Sequence, residues 1–227
     1  GYISALSNGV VPLIISNNTE QSLFDTLYGK YQPEFLWLPT NKIAGFNLKD
    51  TLYSTNGYSL VRTGFDTPNL YEDLSLLLPT SGSTGSPKLV RHSYRNIEAN
   101  AENVMNLFGL TSSERAMAAL PMHYTMGLSV IASHLYAGAT LLLCGKSLLD
   151  PVFWNMLRDG ATSFTGVPYS FELLAKLRFF RMNLPELKII TQGGGKLTED
   201  MWLQLSSYAI NNGKRFIATY GQSECTA

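Results

Sequence analysis

The chain is 227 residues long, 45% hydrophobic and 15% charged, which suits a folded protein able to bury a sizeable core as one large domain or two small ones. Its 17 Lys plus Arg balance 17 Asp plus Glu, and this argues against nucleic acid as the main partner, because polyanion binding needs a basic excess. No apolar run approaches the roughly 18 residues of a membrane span, and Cys144 and Cys225 are too few and too far apart for a disulfide framework or a metal cluster. With no basic-then-apolar leader at the start, the expectation is a cytoplasmic protein with two reduced thiols.

Short β-prone runs alternate with longer segments of helical period. Residues 10–15 read as a strand. Asn18 then reads as an N-cap with Gln21 at N3, ahead of a helical face made by Leu23, Phe24, Leu27, Tyr28 and Tyr31. A strand over 35–38 follows Pro33, and Asn56-Gly57 is a good turn between hairpin strands near Leu52 and Leu60. Residues 74–78 form an apolar strand that runs into a Gly/Ser/Thr loop, with extended structure resuming over 89–91. Ser93 caps a helix that turns Ile97, Ala101, Val104, Met105 and Phe108 inward and ends at Gly109.

From there the alternation is regular. Strands are expected over 115–120, 140–144, 162–165, 187–191 and 215–218. Helices are expected over 126–137, from the Asp150-Pro151 cap to near Gly160, over 168–177, and after Thr198. Repeated β–helix–β units imply an α/β fold with a mostly parallel, doubly wound sheet and helices on both faces. The expected division is an N-terminal α/β portion over 1–73 and a nucleotide-binding subdomain over 74–227.

In such a sheet the strands end on one edge, where ligands bind. The unusual residues follow strand ends: Pro121-Met122-His123-Tyr124, Gly166-Val167-Pro168, Gln192-Gly193-Gly194-Gly195 and Thr219-Tyr220-Gly221-Gln222-Ser223-Glu224. Periodicity alone therefore predicts a composite small-molecule site. The loop over 80–88 reads Thr-Ser-Gly-Ser-Thr-Gly-Ser-Pro-Lys. Glycines let backbone N–H groups approach a phosphate, hydroxyls add donors, and Lys88 adds a mobile charge. The alternative is a plain Ser/Gly surface turn. The spacing does not fit a Walker loop, which needs Gly-x-x-x-x-Gly-Lys-Ser/Thr.

These residues resemble the adenylate-forming (AMP-dependent) synthetases, the superfamily of acyl-CoA synthetases, peptide-synthetase adenylation domains and firefly luciferase. Residues 80–88 match the signature Thr-Ser-Gly-Ser/Thr-Thr-Gly-x-Pro-Lys. Residues 220–224 resemble its Tyr-Gly-x-Thr-Glu motif, residues 192–195 its adenine-side glycine segment, and residues 121–127 its Pro-x-x-His-x-x-Gly gating segment. The resemblance implies part of the large N-terminal domain of an enzyme that uses ATP to turn a carboxylic acid into an acyl-adenylate. The acyl group would then pass to a thiol, either CoA or the phosphopantetheine arm of an acyl carrier protein.

On that resemblance Thr80, Ser81, Gly82, Ser83, Thr84, Gly85 and Lys88 hold the triphosphate, and Glu224 binds Mg²⁺, with Lys88 and Glu224 the catalytic pair. Gly193, Gly194, Gly195, Thr219, Tyr220, Gly221 and Ser223 serve the nucleotide, with Tyr220 against adenine, and His123 and Tyr124 gate or line the acyl pocket. Tyr220 can alternatively be read as core packing. Residues 121–129 hold no aspartate to pair with an amino-acid ammonium, which favours an acid without that amine. Pro79 stands where the family commonly has an aromatic, Leu89 where it has glycine, and Ser223 where it has threonine. The family's ribose-binding aspartate, hinge and C-terminal domain are absent, so the expectation is a truncated enzyme with little activity of its own. The rival reading is a non-catalytic nucleotide- or acyl-binding module with a regulatory or assembly role.

Overall fold

The computed structural model describes residues 1–46, 50–66, 69–80 and 88–226. It divides into two units, Gly1–Ser93 and Tyr94–Ala227. In the first, a short helix α1 (Tyr2–Ser7) precedes α2 (Gln21–Tyr31). The expected strand over 10–15 is only a bridge of Leu13 to Leu77, because Pro12 has no N–H to extend a ladder and contributes only its carbonyl, to Leu77 N–H at 3.0 Å. Helix α2 starts at Gln21 rather than just after Asn18. The residues before it are held instead in a turn on Ser16, whose carbonyl accepts from the Thr19 hydroxyl at 2.7 Å. Phe24 and Tyr28 on its inner face pack on Phe46 and Phe65, with ring centroids 5.1–6.4 Å apart.

Strands β1 (Phe35–Pro39), β2 (Asp50–Thr55) and β3 (Tyr58–Arg62) form an antiparallel sheet in the order β1-β3-β2. Asn56 and Gly57 take positive φ, 48° and 76°, as the tight turn read from the sequence requires. Strands β4 (Leu74–Pro79) and β5 (Leu89–Ser93) pair antiparallel as a separate two-stranded sheet. The strands on either side of residues 80–88 thus belong to this small antiparallel sheet and not to the parallel one, which corrects the expectation that this segment lies at an end of the parallel sheet, while the extended structure expected over 89–91 is present. Pro79 pairs with Leu89 in that register, so the leucine occupies a strand position.

The second unit alternates helix and strand: α3 (Tyr94–Phe108), β6 (Arg115–Ala118), α4 (Thr125–Tyr136), β7 (Thr140–Leu143), α5 (Pro151–Arg158), β8 (Ser163–Gly166), α6 (Pro168–Lys176), β9 (Ile189–Gln192), α7 (Glu199–Asn211) and β10 (Arg215–Ala218). Local chemistry sets the ends. Asp150 accepts from Val152 N–H at 2.8 Å with Pro151 at the first helical position, Thr198 accepts from Met201 N–H at 3.3 Å, and Gly109 and Gly138 take positive φ past α3 and α4.

The five strands are all parallel, in the order β10-β9-β8-β6-β7. Alternation along each strand supplies both faces. Ile190, Phe164 and Met117 meet α5, α6 and α7 in a core with Phe153, Phe171 and Leu205, where Phe153, Phe164 and Phe171 form an edge-to-face row at 5.8 and 5.9 Å. Ile189 and Ile217 turn the other way, onto Phe108, Val104 and Met105 of α3. The sheet is therefore doubly wound, with helices on both faces. The chain leaves β6 for β7 on one side and returns as β8 on the other, so the β6 and β8 ends flank a topological switch point, where loops diverge and leave a crevice.

At the opposite, amino-terminal edge, the Glu114 carboxylate is buried and accepts from the Thr162 hydroxyl, which itself accepts from Arg115 N–H at 2.8 Å. His134 Nδ1 lies 2.8 Å from Val130 O and must donate to it, leaving Nε2 to accept from Ser163 Oγ at 3.3 Å. The arrangement suits a neutral imidazole.

Candidate functional site

The β6–α4 connection is tight. Tyr124 N–H donates to Pro121 O at 3.1 Å and Leu128 N–H to Tyr124 O at 3.1 Å, so the helix starts immediately after a turn. A Cβ on Gly127 would lie 2.4 Å from Pro121 O and 2.8 Å from Leu120 O. Only glycine lets α4 begin this close to the strand end. His123 and Tyr124 sit on the turn with ring centroids 4.5 Å apart. Tyr124 is exposed, whereas burial pushes His123 below its ordinary value of 6.5 and favours a neutral ring. Behind this turn, Met117, Ala118, Ala119, Leu120, Gly127, Val130 and Thr165 line a narrow seam between β6, β8 and α4 that has no room for a water molecule.

The β9 and β10 loops are fastened to each other and to β8. Thr219 donates to Gln192 O through both its N–H, at 2.7 Å, and its hydroxyl, at 3.0 Å, and Gly193 N–H donates to Gly166 O at 3.2 Å. The Gln192 amide, 4% exposed, turns back to donate to Gly195 O at 2.7 Å and Gly193 O at 3.2 Å, which fixes the glycine segment as a small loop. Gly194 takes φ +72°, and a Cβ on Gly193 would meet Met126 Cε at 1.9 Å and Thr219 Oγ1 at 2.6 Å. Gly194 is favoured by its left-handed backbone, and Gly193 leaves room for the Met126 methyl, so their place in the sequence has a local physical cause.

After β10 the chain leaves the sheet. Tyr220 is 90% exposed, which removes the core-packing reading of it. Ser223, Glu224 and Cys225 form a single 3₁₀ turn with Glu224 exposed, and Thr125 Oγ1 donates to Ser223 Oγ at 2.9 Å. Gly193, Gly194, Gly195, Thr219, Tyr220, Gly221, Ser223 and Glu224 thus share one edge of the sheet with His123 and Tyr124. That edge offers an exposed aromatic ring, glycine backbone, hydroxyls and an exposed carboxylate, groups able to meet a small polar ligand.

In the first unit, Thr80 closes the base of the β4–β5 hairpin: its N–H donates to Lys88 O at 3.0 Å and its hydroxyl to the same oxygen at 3.3 Å. The Lys88 side chain is exposed. Ser81, Gly82, Ser83, Thr84 and Gly85 lie outside the described residues. Reading the sequence alone places Gln192 in the glycine segment but misses that its amide folds that segment back, and misses Thr125 and Met126, which tie the segments together. Nothing in the sequence signals a contact between residues 98 positions apart, although a hydroxyl opening a helix beside a strand end is a weak hint.

A family model described as AMP-binding enzyme matches residues 33–227. Feruloyl-CoA synthase of Amycolatopsis sp. is 31% identical over 163 residues, covering 70% of this chain and 32% of that enzyme, so the chain spans about a third of the curated relative's length. The solved structure of VinN with L-aspartate is 27% identical, with a TM-score of 0.59 over 72% of this chain and 41% of that one. E. coli MenE with bound OSB-AMS gives a TM-score of 0.73 over 99% of this chain and 46% of that one; at 22% identity this likeness shows the fold. The architecture is that of the N-terminal domains of adenylate-forming enzymes. Since the family match takes in well over half of the sequence, the chain belongs to the AMP-binding enzyme family, the adenylate-forming synthetases and ligases.

Proposed function

We propose that this protein activates a carboxylic acid lacking an α-ammonium group with ATP and passes the acyl group to a thiol. A carboxylate oxygen attacks the α-phosphorus in line, the new O–P bond forms, and the bond to the β-phosphate breaks to release pyrophosphate. The acceptor thiolate then attacks the acyl carbon and AMP leaves. Holding the phosphates and aiming the carboxylate supply most of such a rate enhancement. The observation that carries this reading is the cross-linked carboxyl edge, where Ser223 is bonded to Thr125 at the start of α4, Thr219 to Gln192 O, and the glycine loop to Gly166 O and the Gln192 amide.

In this reading the exposed Tyr220 ring stacks on adenine, and the backbone of Gly193, Gly194 and Gly195 lines its edge, with Thr219 and Gly221 holding the strand end open. Lys88 and the hydroxyls of Thr80, Ser81, Ser83 and Thr84 grip the triphosphate, and Gly82 and Gly85 let the loop backbone approach it. Glu224 is a hard-oxygen ligand for Mg²⁺, which screens phosphate charge when bound. The neutral His123 and the exposed Tyr124 flank the acid, whose body points toward the seam lined by Ala118, Ala119 and Gly127. CoA as acceptor is supported by the CoA-forming relative, and a carrier-protein arm presents the same thiol.

ATP–pyrophosphate exchange over a panel of aryl, fatty and amino acids tests this. In the full-length protein exchange is expected with acids lacking an α-amine and is expected to fall about 100- to 1000-fold in Lys88→Ala. Nucleotide binding with no exchange for any acid would instead favour a binding module.

A further inference from the structure

We propose that Thr125 is a positioning residue that sets the Ser223 hydroxyl for the nucleotide, a role that rests on the nucleotide reading of this edge. Thr125 is the first residue of α4 and is only 8% exposed, although the adjacent Tyr124 is 59% exposed. Its hydroxyl is directed across the sheet edge, and its bond to Ser223 Oγ links the start of α4 to the 3₁₀ turn that carries Glu224. A hydroxyl has one proton to give and two lone pairs to accept with. By donating, Thr125 occupies a lone pair of Ser223 and leaves the serine proton to point at an anionic oxygen. Serine alone has three staggered positions for that hydroxyl, and the bond selects one.

A second contact from the same helical turn reaches the other nucleotide segment. The Met126 methyl lies where a Cβ on Gly193 would be, 1.9 Å from that position. The opening turn of α4 is therefore held against both the glycine loop and the Ser223 turn, and its N-terminal side carries His123 and Tyr124. Thr125 is not required for α4 to start, since that is settled by Gly127 and the Pro121 turn. Its hydroxyl is spent on Ser223.

The test is a double-mutant cycle read as affinity for AMP and for a non-hydrolysable Mg·ATP analogue by titration calorimetry, with melting curves to confirm folding. Thr125→Val keeps the shape and removes the donor, and it should weaken nucleotide binding about tenfold. Thr125→Ser should restore affinity to within about twofold, and Thr125→Val should add nothing in a Ser223→Ala background. Equal losses with and without the Ser223 hydroxyl would show a merely structural threonine and overturn the proposal, as would wild-type affinity in Thr125→Val. A wild-type protein that binds neither nucleotide would remove the nucleotide reading and this inference with it, a result distinct from either of those.

Discussion

The segment over 80–88 and the carboxyl edge of the parallel sheet draw their glycines and hydroxyls from the sequence in opposite ways. The segment over 80–88 holds its glycines, hydroxyls and lysine in one contiguous stretch of sequence, with Thr80 bonded to Lys88 O and an antiparallel strand on either side. The sheet edge assembles its groups from four connections and ties them with bonds such as Thr219 to Gln192 O and Gly193 N–H to Gly166 O. Lys88 is exposed, whereas Gly127 and Gly194 of the distributed edge also carry structure. Substitution of Lys88 should therefore separate activity from stability, and substitution of those edge glycines should not.

The largest stability effect is expected at Gly127. A methyl there meets two backbone carbonyl oxygens, at 2.4 and 2.8 Å, and neither can move without shifting the β6–α4 turn. Gly127→Ala should cost about 3 kcal/mol or more, or leave the protein insoluble. An equilibrium urea melt superimposable on the wild type would break the claim that the edge glycines are packing requirements. Lys88→Ala is the counterpart. Its side chain is exposed, so the melt should shift by less than about 0.5 kcal/mol while exchange activity collapses. A large loss of stability there would erase the contrast between the two regions.

Much of this architecture can be read directly from residues. Asn56-Gly57, Asp150-Pro151, Thr198, Gly109 and Gly138 act within a few positions of themselves, and each turn or cap forms as expected. The strand over 215–218 has the bounds its pattern implies. What escapes is whatever depends on partners distant in the chain. Nothing local distinguishes β4 from a strand of the parallel sheet, since a short apolar run is compatible with either pairing. Residues 10–15 carry the right apolar content, but Pro12 reduces them to a bridge. Tyr220 and Glu224 are candidates for the site by their motif, yet their exposure is set by where β10 ends.

The amino-terminal edge of the sheet supplies the smallest and most specific expectation, one for pH. Burial holds His134 below its ordinary 6.5, against smaller upward pulls from its bond to Val130 and from the Glu114 charge, the acidic group facing it among the packed elements. Below about pH 6.5 the unfolded chain takes up a proton there that the folded chain resists, so stability is complete above that pH and falls as the pH drops further. The slope from this one group cannot exceed about 1.4 kcal/mol per pH unit. His123 titrates in the same direction, again through burial, so the two must be separated. His134→Asn keeps a donor near Val130 O without a titratable ring and should flatten the profile measured by urea melts between about pH 7.5 and pH 5.5. His123→Asn should flatten it less, because the His123 ring sits on the outer turn beside exposed Tyr124 while His134 is enclosed by α4 and β8. An unchanged slope in His134→Asn would show that the polar cluster of Glu114, Thr162 and His134 tolerates the proton. The two ends of the sheet would then differ in chemistry but not in their tolerance of charge.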